Sequence, residues 1–402
     1  MFTRLQLKRD SFRRRELPWG MLGLFGLVIA VEGLVSGRND ALTRGDYLNW
    51  RYAKQQAASQ GPRNEILCLG SSLVKMGVAS RVIETETGRR TFNLATSNGC
   101  MPVSYFLLRR AVEAGARPTA VLVDCPQVPI EHPESYKQGL ELENRWRYWP
   151  ELLSVRDTLD LAYVSRDAHF LTTTLVSRLI PSYKVRFEAR RFVLTSLRGE
   201  GESSSWESQF LRRNWRANRG TQILHPNPES EVKDRGVIVK TPPRPTLPSW
   251  GVNRLEVIYA RRFLDLATAH KIRVFWLIPP VSESQQELDN SSGKDDHHTR
   301  FVEQIHDYKD DVEVLDGRRS GYPAEAFWDT IHMNVIGAKV FSLEVASAVR
   351  RHLAGSSPHR LWTVIPPFRD PAGVLSPPLE TILESGAILK QAGDAERLPL
   401  RR

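Results

Sequence analysis

Residues 65–72 read EILCLGSS, a short apolar run that ends in small polar residues. This pattern is typical of a buried parallel strand followed by a tight turn. Residues 90–95 (RTFNLA) and 119–125 (TAVLVDC) have the same character, and helical patterns at 78–87 and 103–115 separate the three runs. The alternation predicts a βαβαβ unit, and therefore a doubly wound α/β fold built on a parallel sheet.

The alternation of strand and helix patterns resumes further along the chain, after a long insertion. Residues 127–250 hold aromatic helical patterns and then a stretch rich in Ser, Asn, Arg and Pro, which predicts an insertion after the third strand. Such insertions commonly shape a substrate cleft. A polar, mobile loop is expected at 283–298. Further strands and helices are predicted at 273–280, 312–317, 253–271, 299–308 and 335–353, so that the α/β domain covers 63–355.

An apolar segment precedes the domain. Residues 17–37 read LPWGMLGLFGLVIAVEGLVSG, which is about the 20 residues that a helix needs to cross a bilayer. Six basic residues lie in the segment 1–16 before it and predict a cytoplasmic N-terminus. We therefore expect a single-pass anchor in the cytoplasmic membrane, with the rest of the chain on the extracytoplasmic (periplasmic) side. A cleaved signal peptide stays open as an alternative, although no A-x-A site follows, and so does a buried core helix.

Two segments flank the predicted domain. Residues 38–62 are expected to form a helical spacer, with Tyr47, Trp50 and Tyr52 as packing points. The tail 356–402 is rich in Pro and lacks sustained periodicity. It is expected to be mostly disordered, with a short helix near 378–391.

Charge and cysteine content limit the partners. The net charge is +10, but no zinc-finger spacing, helix-turn-helix or RNP-like strand is present, so no nucleic-acid partner is expected. No His/Cys cluster has metal-ligand spacing, so neither a metal nor a cofactor is expected. Cys100 and Cys125 follow neighbouring predicted strands and either pair or stay as separate thiols. Arginines are dense in one stretch, at Arg186, Arg190, Arg191, Arg198, Arg212, Arg213, Arg216 and Arg219, and a scattered, solvated set is the simplest interpretation.

Two blocks carry residues for acyl chemistry. Ser72 follows the first strand, where a strand-to-helix turn presents a hydroxyl at the top of the sheet and the helix directs N–H groups toward a developing oxyanion. Asp329 and His332 lie three residues apart, a spacing that lets the carboxylate bond Nδ1–H and leaves Nε2 free to accept a serine proton. Alone, the Gly-Ser-Ser block is more simply explained as a turn with a helix cap, and Asp329 and His332 are equally compatible with a surface Asp and a His at a helix start.

Taken together, the blocks resemble those of the SGNH/GDSL hydrolases. Gly70-Ser71-Ser72, Asn93-Leu94-Ala95 and the Asp-x-x-His-x-Asn run before the last helix carry the resemblance over about 64–125 and 253–353. It is nearest to membrane-anchored envelope members that begin Gly-Ser-Ser, whose relatives include alginate-type O-acetyltransferases. The resemblance implies an SGNH-type (flavodoxin-like) three-layer α/β/α fold, with Ser72 as nucleophile, His332 as base and Asp329 as its orienting acid.

The oxyanion hole departs from the family pattern. The family uses a second-block glycine N–H, which corresponds to Gly99 or, without a gap, Asn98. The third block usually supplies an Asn, but the chain has Val-Asp-Cys-Pro-Gln at 123–127, so that Gln127 is the remaining amide donor. The resemblance implies an esterase or O-acyltransferase that acts on an ester-bearing envelope glycan or lipid-linked ester. The alternative is an SGNH-fold binding or assembly protein that has lost catalysis. The sequence leaves the oligomeric state open.

Overall fold

The computed structural model describes residues 19–37, 45–125, 145–185, 190, 194, 197, 203–227, 254–309, 311–355, 361–370 and 377–397. Its strands are β1 Ile66–Leu69, β2 Thr91–Asn93, β3 Ala120–Asp124, β4 Arg273–Ile278, β5 Val312–Asp316 and β6 Trp362–Val364. The first helices are α1 Trp19–Gly37, α2 Gly45–Ser59, α3 Ser72–Gly77, α4 Ser80–Thr87 and α5 Met101–Glu113. The insertion contributes α6 Arg145–Leu152, α7 Val155–Ser165, α8 Ala168–Leu179 and α9 Ser203–Ala217. The last helices are α10 Arg254–Ala269, α11 Glu283–Ser291, α12 Lys294–Tyr308, α13 Val335–Leu353 and α14 Ile382–Arg397.

The six strands form one parallel sheet in the order β2-β1-β3-β4-β5-β6. Both faces are apolar, because side chains alternate along a strand. Leu67 and Leu69 of β1 join the cluster with α5 and α10, whereas Ile66 and Cys68 join the cluster with α4 and α13. The prediction of a parallel α/β sheet is therefore confirmed, and helices on both faces are compatible with a three-layer arrangement.

Helix α2 is part of the domain rather than a loose spacer. Trp50 is buried against Trp149 of α6, with ring centroids 5.2 Å apart. Tyr52 packs on Trp215 of α9. These contacts confirm two of the predicted packing points, while the side chain of Tyr47 lies outside the described residues.

The described helices and strands correct two predictions about irregular segments. The polar stretch predicted as a loop at 283–298 forms α11 and the start of α12, because Ser282 Oγ caps α11 by accepting from Gln285 N–H. The tail contains the short helix expected near 378–391, which is α14, but its other described residues differ from the expected disorder. Strand β6 pairs with β5, and α14 packs on α9 through hydrogen bonds from Asn214 Nδ2 to Glu380 O and to Ser385 Oγ.

Helix α1 carries the apolar run of the N-terminal segment. Its large side chains are exposed, among them Ile29 at 71% and Leu34 at 66%. The carboxylate of Glu32 accepts hydrogen bonds from the N–H and hydroxyl of Ser182, just after α8. Among the helices of the described chain, none meets the requirements of length and apolarity for crossing a membrane. The anchor stays a prediction.

Candidate active site

A tight turn at the end of β1 presents the serine. Gly70 has φ +120°, a conformation that L side chains rarely adopt, and a Cβ there would lie 1.8 Å from Asp124 Oδ1. Only glycine fits this position. Ser71 is the N-cap of α3, where its Oγ accepts from Leu73 N–H at 3.1 Å. The nucleophile candidate Ser72 is the first residue of the helix.

Ser72 is hydrogen-bonded to the histidine that the sequence assigned as its base. His332 Nε2 lies 2.9 Å from Ser72 Oγ, although the residues are 260 positions apart. His332 Nδ1 lies 2.7 Å from Asp329 Oδ2. A carboxylate acceptor at Nδ1 fixes the proton on that nitrogen, which leaves Nε2 as an acceptor for the serine proton. The structure thus brings Ser72, His332 and Asp329 into one chain of hydrogen bonds.

The turn around Asp329 holds its carboxylate in the ionised form. Its Oδ1 accepts from the backbone N–H groups of Ile331 at 2.9 Å and His332 at 2.7 Å. Burial raises the pKa of Asp329, but the hydrogen bond from the His332 ring and the two N–H donors outweigh it and hold that pKa below its ordinary value. Asn334 then caps α13 by accepting from Ile336 N–H at 2.9 Å.

Asp124 is the site residue whose role the sequence did not indicate. It is fully buried at the end of β3, where Oδ1 accepts from Ser71 N–H at 2.6 Å and Oδ2 from Ser71 Oγ–H at 2.5 Å. Burial raises the pKa of Asp124 to about 6, against the lowering effect of these two hydrogen bonds. The carboxylate therefore fixes the turn that carries Ser72, from within the third block, in which the family pattern led us to look for an amide donor.

The second block lies beside this turn. Thr96 N–H donates to Gly70 O at 3.1 Å, and a Cβ on Gly99 would lie 2.1 Å from the same oxygen. Helix α2 supports the block from outside, since Trp50 Nε1–H donates to Ser97 O at 2.8 Å. Asn98 has φ +55°, is exposed and lines the same pocket as Ser72.

The expected oxyanion donors differ in their availability. The N–H of Gly99 donates to Thr96 O at 3.0 Å, so the turn already uses the donor that the resemblance implied. Asn98 carries a side-chain amide at the pocket and is the better candidate of the two. Gln127 lies outside the described residues.

A pocket of about 250 Å³ opens at Ser72 and His332. Pro279 and Val281, which follow β4, form an apolar wall. Arg318 also lines the pocket and pairs with Asp316 at 2.6 Å and Asp295 at 2.8 Å. Asp289 and Lys294 are further charged residues of the lining. The pocket therefore suits a small group and offers it both apolar and polar contacts.

The cysteines near the pocket are unbridged. Cys100 and Cys125 are both buried, and they form no disulfide with each other. Burial and the neighbouring carboxylates of Glu256 and Asp124 raise the pKa of Cys125, which makes its thiolate rare. Among the described residues, no three His, Cys, Asp or Glu side chains are grouped as a metal site requires.

Comparison with known protein families finds no matching family model, and comparison with curated proteins finds no match either. The assignment of function below is therefore argued from the site itself.

Proposed function

We propose that this chain is an SGNH-type serine ester hydrolase or O-acyltransferase that works through an acyl-Ser72 intermediate. The observation that carries the proposal is the continuous hydrogen-bonded chain from Asp329 through His332 to Ser72 at the mouth of a pocket. Its substrate is an ester-bearing glycan or lipid-linked ester of the cell envelope, and helix α1 anchors the enzyme in the cytoplasmic membrane. The exposed apolar side chains of α1 support that last part.

The reaction follows from the geometry. Ser72 Oγ attacks the ester carbonyl while His332 Nε2 takes the hydroxyl proton, and Asp329 stabilises the imidazolium that forms. The N–H of Ser72 and the amide of Asn98 donate to the oxyanion. The tetrahedral intermediate collapses, His332 returns the proton to the leaving alcohol oxygen, and the acyl group stays on Oγ.

The second half-reaction decides between the two enzyme classes. His332 removes a proton from a water molecule or from a sugar hydroxyl, whose oxygen attacks the acyl carbonyl. Water gives the free acid, a sugar hydroxyl gives a new ester, and Ser72 regains its proton in both cases.

A fluorophosphonate probe tests the nucleophile. The full chain in uncharged detergent micelles is compared with Ser72→Ala, with His332→Ala and with Ser291→Ala, an exposed serine at the end of α11 that serves as the control. We expect labelling in the wild type and the control, none in Ser72→Ala and a rate reduced by about 1,000-fold in His332→Ala. Equal labelling of the wild type and Ser72→Ala would refute the proposal.

One observation favours a second candidate function, a binding protein that has lost catalysis. The Gly99 N–H is used within its own turn, so one donor of the expected oxyanion hole is missing. Loss of one donor typically costs about 2.7–4 kcal/mol of transition-state stabilisation. Failure of the wild-type chain to react with the probe or with activated acetyl esters would favour this second function.

A further inference from the structure

Four arginines of the arginine-rich stretch lie together in the described structure, at Arg212, Arg213, Arg216 and Arg219. Helix α9 and the turn after it border two adjoining clefts of about 620 and 650 Å³, which share Arg212, Arg216 and Ala217. The first is completed by Gln209, Arg213 and Leu389, and the second by Tyr52, Gln55, Gln56, Gln60, Arg81, Phe92 and Arg219. Five arginines and four glutamines thus line one continuous concave surface, which we call the arginine cleft.

The arginine cleft carries an excess of positive charge. Among its described lining residues none is acidic. Two of its arginines reach carboxylates outside the lining: Arg213 pairs with Glu380 at 2.7 Å and Arg219 with Glu84 at 2.8 Å. Within the part of the chain that the structure describes, no carboxylate forms an ion pair with Arg81 or Arg216, and Arg216 belongs to both clefts.

The backbone that carries these side chains is fixed. Arg219 has φ +51°, a left-handed conformation that is uncommon for a residue other than glycine. Its carbonyl oxygen accepts from Asn93 N–H at 2.9 Å, at the edge of the sheet. A Cβ on the next residue, Gly220, would lie 2.1 Å from Asn93 O. Arg219 is therefore presented by a turn packed against β2, and Arg212, Arg213 and Arg216 by helix α9. A fixed backbone limits the conformational entropy lost when a ligand binds.

We propose that the arginine cleft is a binding site for an acidic polysaccharide. A guanidinium group presents paired N–H donors that match a carboxylate, and a glutamine amide both donates to and accepts from a sugar hydroxyl. A uronic-acid chain carries these two groups on every residue. The arginine cleft shares no lining residue with the pocket at Ser72, so the two sites are separate and can be tested with separate variants.

Two other polyanions fit this surface less well. Single-stranded nucleic acid is held by bases that stack on exposed aromatic rings. The aromatic rings here are Phe92, which is 6% exposed, and Tyr52, which is half-buried and packs on Trp215. A lipid bilayer is nearly flat, whereas the arginine cleft is a recess lined by residues of α2, α4 and α9. The arrangement favours a flexible chain of sugars.

Binding is measured with a fluorescent polyuronate oligomer and the full chain in uncharged detergent micelles. The test variant is Arg81→Gln with Arg216→Gln, because replacing these two arginines leaves no described carboxylate without its ion-pair partner. The control is Arg254→Gln with Arg351→Gln, which removes the same charge from exposed positions on α10 and α13. We expect the test variant to bind about 10-fold or more weakly, the control within about 2-fold of wild type, and binding to weaken with salt.

Two further arms separate the ligand classes and the two sites. The carboxyl-reduced oligomer should not bind, and Ser72→Ala should bind polyuronate as the wild type does. The proposal is overturned if the test variant and the control variant lose the same affinity for polyuronate. It is also overturned if the carboxyl-reduced oligomer binds as tightly as polyuronate. Tighter binding to a single-stranded oligonucleotide or to anionic vesicles of equal charge would overturn it as well. Loss of probe labelling at Ser72 with polyuronate binding intact would remove only the catalytic proposal.

Discussion

The buried carboxyl of Asp124 predicts how the free energy of unfolding depends on pH. Its pKa is about 6 in the folded chain, against an ordinary value of 3.8. Because the folded state binds this proton more tightly than the unfolded state, the free energy of unfolding falls as pH rises from about 4 through about 6. The full difference corresponds to about 3 kcal/mol, and about 2 kcal/mol of it falls between about pH 4.5 and 7.5.

The substitution Asp124→Asn isolates this contribution, since an amide does not titrate there. The free energy of unfolding is measured by denaturant titration with tryptophan fluorescence, for both proteins at each pH, and the difference between them is plotted. We expect the wild type to lose about 2 kcal/mol relative to the variant between about pH 4.5 and 7.5. If the free energies of unfolding of the two proteins changed in parallel with pH, the pKa of Asp124 would not be shifted by folding. A difference of the opposite sign would show that the hydrogen bonds from Ser71 outweigh burial, which would refute the reasoning.

Three further predictions follow from the same region. Gly70→Ala places a Cβ 1.8 Å from Asp124 Oδ1, so we expect loss of probe labelling at Ser72 and a lower melting temperature. Asn98→Ala removes the side-chain donor and should lower kcat by about 100-fold with KM nearly unchanged; an equal change in KM would assign Asn98 to substrate binding instead. Burial lowers the pKa of Lys75, on α3, to about 7, so a rise in pH relieves a buried charge. Relative to Lys75→Met, the wild type should gain about 2.7 kcal/mol in the free energy of unfolding between about pH 6 and 9, and a difference that does not change with pH would contradict this.

The sequence predicted the strands that lie in the middle of the sheet. The run 65–72 contains β1 and the run 119–125 contains β3, because strands buried on both faces read as continuous apolar runs bounded by turn residues. Strand β6 was missed for the opposite reason. It has three residues, lies at the edge, and its residues are half-buried or exposed, so no apolar pattern marks it within a Pro-rich tail.

The site could be predicted where the interacting residues are close together in the sequence. The spacing of Asp329 and His332 indicated their hydrogen bond, and the turn after β1 indicated Ser72. The role of Asp124 depends on register instead. Strand β3 pairs with β1 so that Leu69 lies opposite Val123, which places Asp124 beside Gly70 and Ser71. A long-range pairing of this kind is not visible from the spacing of residues along one chain.

The position of β6 has a consequence for folding during synthesis and for the behaviour of truncated chains. This strand covers the hydrogen-bonding edge of β5, yet it follows the five other strands of the described sheet in the sequence. During synthesis β5 therefore presents an unpaired edge until β6 emerges, and such an edge is a template for association with another chain. A chain cut after α13 would keep Ser72, Asp329 and His332 but leave that edge bare permanently. Aggregation of such a fragment would reflect a missing strand and would say nothing about the catalytic residues.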